Sequence, residues 1–179
     1  MDPLKPRFRD IKKFIPDGNY NVNVSWSFLD NFLTEWKSQG LDMDPDFQRG
    51  HVWSEEKQVA YVEFILQGGR SSRTILFNNP NWNVTVKPDD DFVLVDGKQR
   101  LEAVRRFLHD EIPAFWHMRS EYVDKLPAMC GPDFVFHVNT LQTREEVLLW
   151  YLQLNSGGVV HTEEELNKVR GLLEEAKKP

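Results

Sequence analysis

Five consecutive residues, Asp96-Gly97-Lys98-Gln99-Arg100, hold the densest chemistry in this sequence. Arg100 can grip an anionic oxygen with two parallel hydrogen bonds, and Gln99 can both donate and accept. Asp96 offers a carboxylate, Lys98 a point charge, and Gly97 the freedom for a sharp turn. These residues must be positioned by what flanks them. Phe92 to Val95 is a short apolar run, the mark of a buried strand. From Leu101 the period changes: Leu101, Val104, Phe107 and Leu108 share one helical face, while Glu102, Arg105 and Arg106 point away. Strand, glycine turn and helix together aim free backbone N–H groups and the positive end of a helix dipole at one point, which suits a phosphate. The same residues also read as an Asp-Gly turn that caps the next helix and holds no ligand. The rest of the chain has to separate the two.

With 179 residues, 40% hydrophobic and 12% aromatic, the chain is long and apolar enough for one globular domain spanning 1–179, residues 1–18 forming an N-terminal arm. The formal net charge of −6 gives no overall pull towards nucleic acid or anionic membrane, so DNA contact by the isolated chain is expected to be weak. The basic residues concentrate in the arm, at Lys5, Arg7, Arg9, Lys12 and Lys13. Arg105 and Arg106 offer a smaller group able to reach a phosphate backbone. Cys130 is alone, which excludes an intramolecular disulfide and a cysteine zinc site. No apolar run has membrane-spanning length and no signal-peptide core opens the chain, so a soluble, cytoplasmic protein without a membrane partner is expected.

Taken in order, Tyr20, Val22, Val24 and Trp26 alternate with polar residues as a half-buried strand. Ser27 and Asp30 resemble a capping box for a helix with Phe28, Leu29, Phe32, Leu33 and Trp36 on its stripe, stopped by Gly40. Ser54 opens a second helix, with Glu55 and Glu56 in its first turn and Val59, Val62, Ile65 and Leu66 inward. Thr74 to Phe77 reads as a strand, and Trp82, Val84 and Val86 as another. The Asp89-Asp90-Asp91 run reads as a solvated loop. Ile112 to Trp116 predicts a short strand, Tyr122 to Leu126 a brief helix, and Phe134, Phe136 and Val138 a further strand. Thr143 and Glu146 form a full capping box, and Thr162 and Glu165 a second one, opening two C-terminal helices. The pattern predicts an α+β domain: a mixed sheet flanked by helices, with a helical C-terminal part.

Three separated segments resemble one family in the right order: Asp46-Phe47-Gln48-Arg49 followed by Val52-Trp53-Ser54, then Val95 to Leu101, then Leu154-Asn155-Ser156-Gly157-Gly158 followed by Thr162 and Glu165. The family is the ParB/sulfiredoxin-like group filed as domain of unknown function 262. Its signature is Asp-Gly-Gln-Gln-Arg, and the same fold forms the N-terminal part of GmrSD-type modification-dependent restriction enzymes. Lys98 departs from the pattern, since the family usually has Gln there; Lys adds a charge and loses an acceptor. The separate HNH-type nuclease domain of larger members has no counterpart in this sequence.

The resemblance implies a ParB/sulfiredoxin-like fold and a pocket for an NTP with Mg²⁺, with NTP hydrolysis in members that act in phage–host conflict. It also implies a cytoplasmic setting in a prokaryotic or phage-infected cell, and leaves open whether the chain works alone or with a protein partner encoded separately. Carried onto this chain, Gly97 allows close approach, Arg100 and Lys98 meet phosphate charge, and Asp96 holds a metal or its water. Gln48 and Arg49 reach the phosphates from the opposing loop, and Asn155 and Gly157 close the third side. Asp96, Gln99, Arg100 and Gln48 are the expected catalytic set. Positioned Arg and Mg²⁺ are the main demand of phosphoryl transfer, although the same groups serve simple binding. Three function classes stay open: an NTP-binding or NTP-hydrolysing domain, a ParB-like DNA-acting protein or nuclease, and a non-catalytic interaction module.

Overall fold

The computed structural model describes residues 11–48, 53–82, 92–124, 126, 131–155 and 163–177, the side chains of Glu163 and Glu165 excepted. The expectations for Arg49, Gly157, Gly158, the 84–86 strand, the 89–91 acidic run, the first ten residues, Cys130 and the Thr162–Glu165 capping box lie outside them.

The chain is α+β. Four strands, β1 (Tyr20–Ser25), β2 (Thr74–Asn78), β3 (Val93–Asp96) and β4 (Asp133–Asn139), form one mixed sheet in the order β1-β4-β2-β3. β4 and β2 run parallel, and the other two pairs are antiparallel. The helices are α1 (Leu29–Ser38), α2 (Glu55–Leu66), α3 (Lys98–Leu108), α4 (Arg144–Asn155) and α5 (Glu163–Ala176).

Alternation along the strands assigns the helices to opposite faces. Ile75, Phe77, Leu94, Phe134 and Phe136 point into a core completed by Leu29, Leu33 and Trp36 of α1, Tyr61, Val62 and Ile65 of α2, and Leu101, Val104 and Phe107 of α3. Leu76 and Val95, one residue out of step, point the other way and meet Val147, Leu148, Trp150 and Tyr151 of α4, with Val169 and Leu173 of α5. The sheet is thus the middle layer of three. Coverage of both faces is why β2 and β3 read as continuous apolar runs rather than as alternation.

Several local expectations are corrected. The first helix is not capped by Ser27: Ser25 accepts from the Ser27 N–H, and a 3₁₀ turn over Trp26–Phe28 leads into α1, whose N-cap, Phe28, makes no side-chain cap. In α2, Tyr61 and Gln58 are buried where Val59 and Leu66 are only half-buried. Residues 112–116 make no strand. A lone bridge between Ala114 and His117 closes a tight turn with Phe115 and Trp116 at φ of 48° and 70°. The brief helix expected at 122–126 is instead a 3₁₀ turn over Arg119–Glu121, with Tyr122 already extended. Trp82 lies in a turn, its ring 5.4 Å from that of Trp36. The arm is not free throughout: the Ile15 N–H donates to Gln153 Oε1 at 2.9 Å, and Ile15 packs on the second core.

Candidate functional site at the start of α3

β3 ends at Asp96 and α3 begins at Lys98, so one residue makes the corner. Gly97 takes φ 103°, in the left-handed region that only glycine enters without strain. A second constraint acts on the same residue: a Cβ there would lie 2.5 Å from Ile75 Cδ1. The glycine therefore lets α3 close onto β2.

The helix that follows starts unusually. No side chain caps α3 and no acidic residue occupies its first turn, which instead holds Lys98 and Arg100. The first N–H groups of a helix have no intrahelical partner, and the dipole there is positive. Two cations at that end oppose the dipole, and the carboxylates of Asp44 and Asp96 meet them from outside the helix.

The first motif segment lies directly against this corner. Gln48 Nε2 donates to the Leu94 carbonyl of β3. Gln99 Oε1 accepts from the Trp53 N–H at 3.1 Å. Lys98 Nζ pairs with Asp44 Oδ1. α4, the helix that leads into the third segment, is joined to the first: the Phe47 and Tyr151 rings are 5.2 Å apart, and Arg144 Nη2 lies 2.6 and 2.7 Å from the two oxygens of Asp46. Lys168 of α5 adds a bond of 2.8 Å to the Asp46 carbonyl. Asn155 turns inward to its own helix, its amide donating to the Tyr151 carbonyl at 2.7 Å. Segments one and two thus meet at one corner, while Asn155 bonds back into α4. Arg49 and Gly157 lie outside the described residues.

Arg100 is largely buried. Its Nη1 donates to the Thr74 carbonyl at 2.7 Å and its Nη2 pairs with Asp96 Oδ2. Asp96 is about half exposed, and with Oδ2 taken by Arg100 its other oxygen is the one left to meet a cation. Mg²⁺ is commonly held by one or two carboxylates plus ligand phosphates, and Asp96 can supply one of them. Among the described residues no group of three His, Cys, Asp or Glu gathers as a metal cluster. Tyr61 lies behind the corner and donates to the Ser72 carbonyl at 2.8 Å. Burial pushes its hydroxyl above the usual tyrosine range, against a smaller opposing pull from Arg100 and Arg73.

Asp44 and Asp46 were missed as site residues. Their signal was faint, a pair of acids in a loop without a period, whose cationic partners lie 54 and 98 residues away. Arg105 and Arg106, read as an outward basic pair, are engaged. Arg105 meets Asp30 and Glu102, and Arg106 meets Glu55, Glu111 and Gln58 Oε1. Acids surround both, so they make a poor platform for a nucleic-acid backbone.

Neither family models, nor curated proteins, nor solved structures give a match to this chain. No described helix is long and apolar enough to cross a membrane.

Proposed function

We propose that this chain is a ParB/sulfiredoxin-like nucleotide-binding domain that takes the phosphates of an NTP with Mg²⁺ at the start of α3. The observation that carries the reading is the uncapped, cation-bearing first turn of α3 behind a left-handed glycine. The N–H groups of that turn and Lys98 receive phosphate oxygens. Arg100 holds the corner in shape from beneath and supplies positive potential. Asp96 offers to Mg²⁺ the oxygen that Arg100 does not hold. The Lys98–Asp44 pair does not bar entry: the Asp44 side chain is 74% exposed, and such surface pairs contribute roughly 0–1 kcal/mol, less than a phosphate gains from the same lysine. A role in phage–host conflict or DNA restriction, with hydrolysis of the bound NTP, follows from the resemblance of the three segments.

The test is calorimetry with the four NTPs and dNTPs, with and without Mg²⁺ and DNA, followed by phosphate release. Saturable Mg²⁺-dependent binding of at least one nucleotide supports the reading. Absence of binding across the series refutes it.

A second reading, a non-catalytic interaction module, is favoured by a specific observation. Gln48, Gln99, Arg100 and Asn155 each bond to a main-chain group of this same chain. In that reading the motif residues are struts, and their removal lowers stability without touching any affinity.

A further inference from the structure

We infer that the cleft at the C-terminal end of α2 is a binding site for a small monoanion with an apolar body, separate from the corner at α3. The cleft has a volume of about 650 Å³, within the range of roughly 300–1,000 Å³ usual for small-ligand sites. Ile65, Leu66, Leu126 and Pro132 make its apolar walls; Arg70, Arg73 and Asp133 are its charged residues.

The two guanidiniums differ in what they are free to do. Arg73 is committed: it pairs with Asp133, its Nε donates to the Arg70 carbonyl at 3.3 Å, and its own carbonyl accepts from the Val135 N–H at 3.0 Å. Arg70 is exposed, and its guanidinium has no hydrogen bond or ion pair among the described residues. With Arg73 and Asp133 cancelling, the described lining of the cleft keeps a single uncompensated positive charge. That matches one singly charged head (a carboxylate or sulfonate) gripped by the planar fork of Arg70, with the apolar body against the walls. A triphosphate is a poor fit, because its further charges would face Asp133 and, among the described residues, no second free cation. The carbonyls at the end of α2 do not compete for Arg70: the N–H groups of Gly68 and Gly69 close onto Ile65 and Phe64 at 3.0 and 2.9 Å.

The experiment is a fluorescence titration of the full chain with 8-anilinonaphthalene-1-sulfonate, a single sulfonate on an aromatic body. The uncharged relative N-phenyl-1-naphthylamine is titrated in parallel. The expected result is saturable binding of both dyes. Arg70→Glu should weaken the sulfonate dye by about tenfold or more, Arg70→Lys, which keeps the charge and loses the fork, should weaken it by less than Arg70→Glu, and both should leave the neutral dye unchanged. The Arg70 side chain is exposed and makes no hydrogen bond or ion pair among the described residues, so these variants should match the wild type in thermal melting. The proposal is overturned if neither dye saturates, if Arg70→Glu binds the sulfonate dye like wild type, or if it loses both dyes equally.

Discussion

α4 and α3 both leave the sheet from a strand or the loop behind it, yet they start in opposite ways. At α4, the Glu146 N–H donates to Thr143 Oγ1 at 3.2 Å and Glu146 Oε2 accepts from the Thr143 N–H at 3.2 Å, with Glu145 adding a further acid to the first turn. At α3 there is a glycine, no cap and two cations. The first arrangement satisfies the orphan donors and complements the dipole, so it stabilises the helix by itself. The second has no N-cap side chain and puts Lys98 and Arg100, each met by a carboxylate of this chain, at the positive end. A helix start of that kind is poorer for stability and better for an anion. The contrast, more than the identity of any one motif residue, makes the α3 corner the candidate site.

The largest effect should come from removing the turn itself. Gly97→Ala adds a Cβ in left-handed backbone and drives it into Ile75, so the expected loss is about 2–4 kcal/mol of folding stability, read by urea denaturation. Gly171, inside α5 with open space around an added Cβ, is the control. Gly171→Ala should instead stabilise by roughly 0.5–1 kcal/mol.

Arg100→Ala comes next, and it separates binding from bracing. Stranding the Thr74 carbonyl should cost about 1–3 kcal/mol of stability. In the nucleotide-binding reading, affinity for the preferred nucleotide should also fall roughly tenfold to hundredfold by calorimetry on the folded variant. A stability loss with unchanged affinity would favour the strut reading.

Tyr61 gives the comparison a pH signature. Its folded-state pKa is raised by burial, so its contribution to stability is complete below the unfolded value of about 10 and is lost as pH rises from there towards the folded value. The slope for one such group is roughly 1.4 kcal/mol per pH unit. Denaturation curves between pH 9 and about 11 should show this decline in wild type and a flatter limb in Tyr61→Phe. A parallel limb would remove Tyr61 as its source.

The smallest effect belongs to the conventional helix start. Thr143→Ala should cost about 1 kcal/mol and leave nucleotide affinity alone, measured by denaturation and calorimetry on the same sample. A change in affinity there would mean that the two helix starts are not independent.

What was legible in the sequence was mostly local. The Thr143–Glu146 box spans three residues and formed as written, as did the β3–Gly97–α3 corner, because both depend on neighbours in the chain. Long-range choices were not legible. Gln48 reaches a carbonyl in β3, Arg106 finds Gln58 and Glu55 on α2, and Asp46 is met from both C-terminal helices. No periodicity encodes which acid meets which arginine. The turn at Phe115-Trp116 was hidden for another reason: non-glycine residues in left-handed backbone look, in sequence, like the apolar run of a strand. In α2, helical periodicity gave the buried face to within one position but could not choose Tyr61 over Val59, since tyrosine is buried only where its hydroxyl finds a partner, here the Ser72 carbonyl.

The most direct measurement is a ¹⁵N–¹H NMR titration with Mg²⁺ and the nucleotide that calorimetry selects, following backbone amides at both helix starts. Saturable shifts are expected at Lys98, Gln99 and Arg100, while Glu145, Glu146 and Val147 at the start of α4 stay in place. Amides of 98–100 that do not move at saturating nucleotide, or that move no more than those of 145–147, would contradict it.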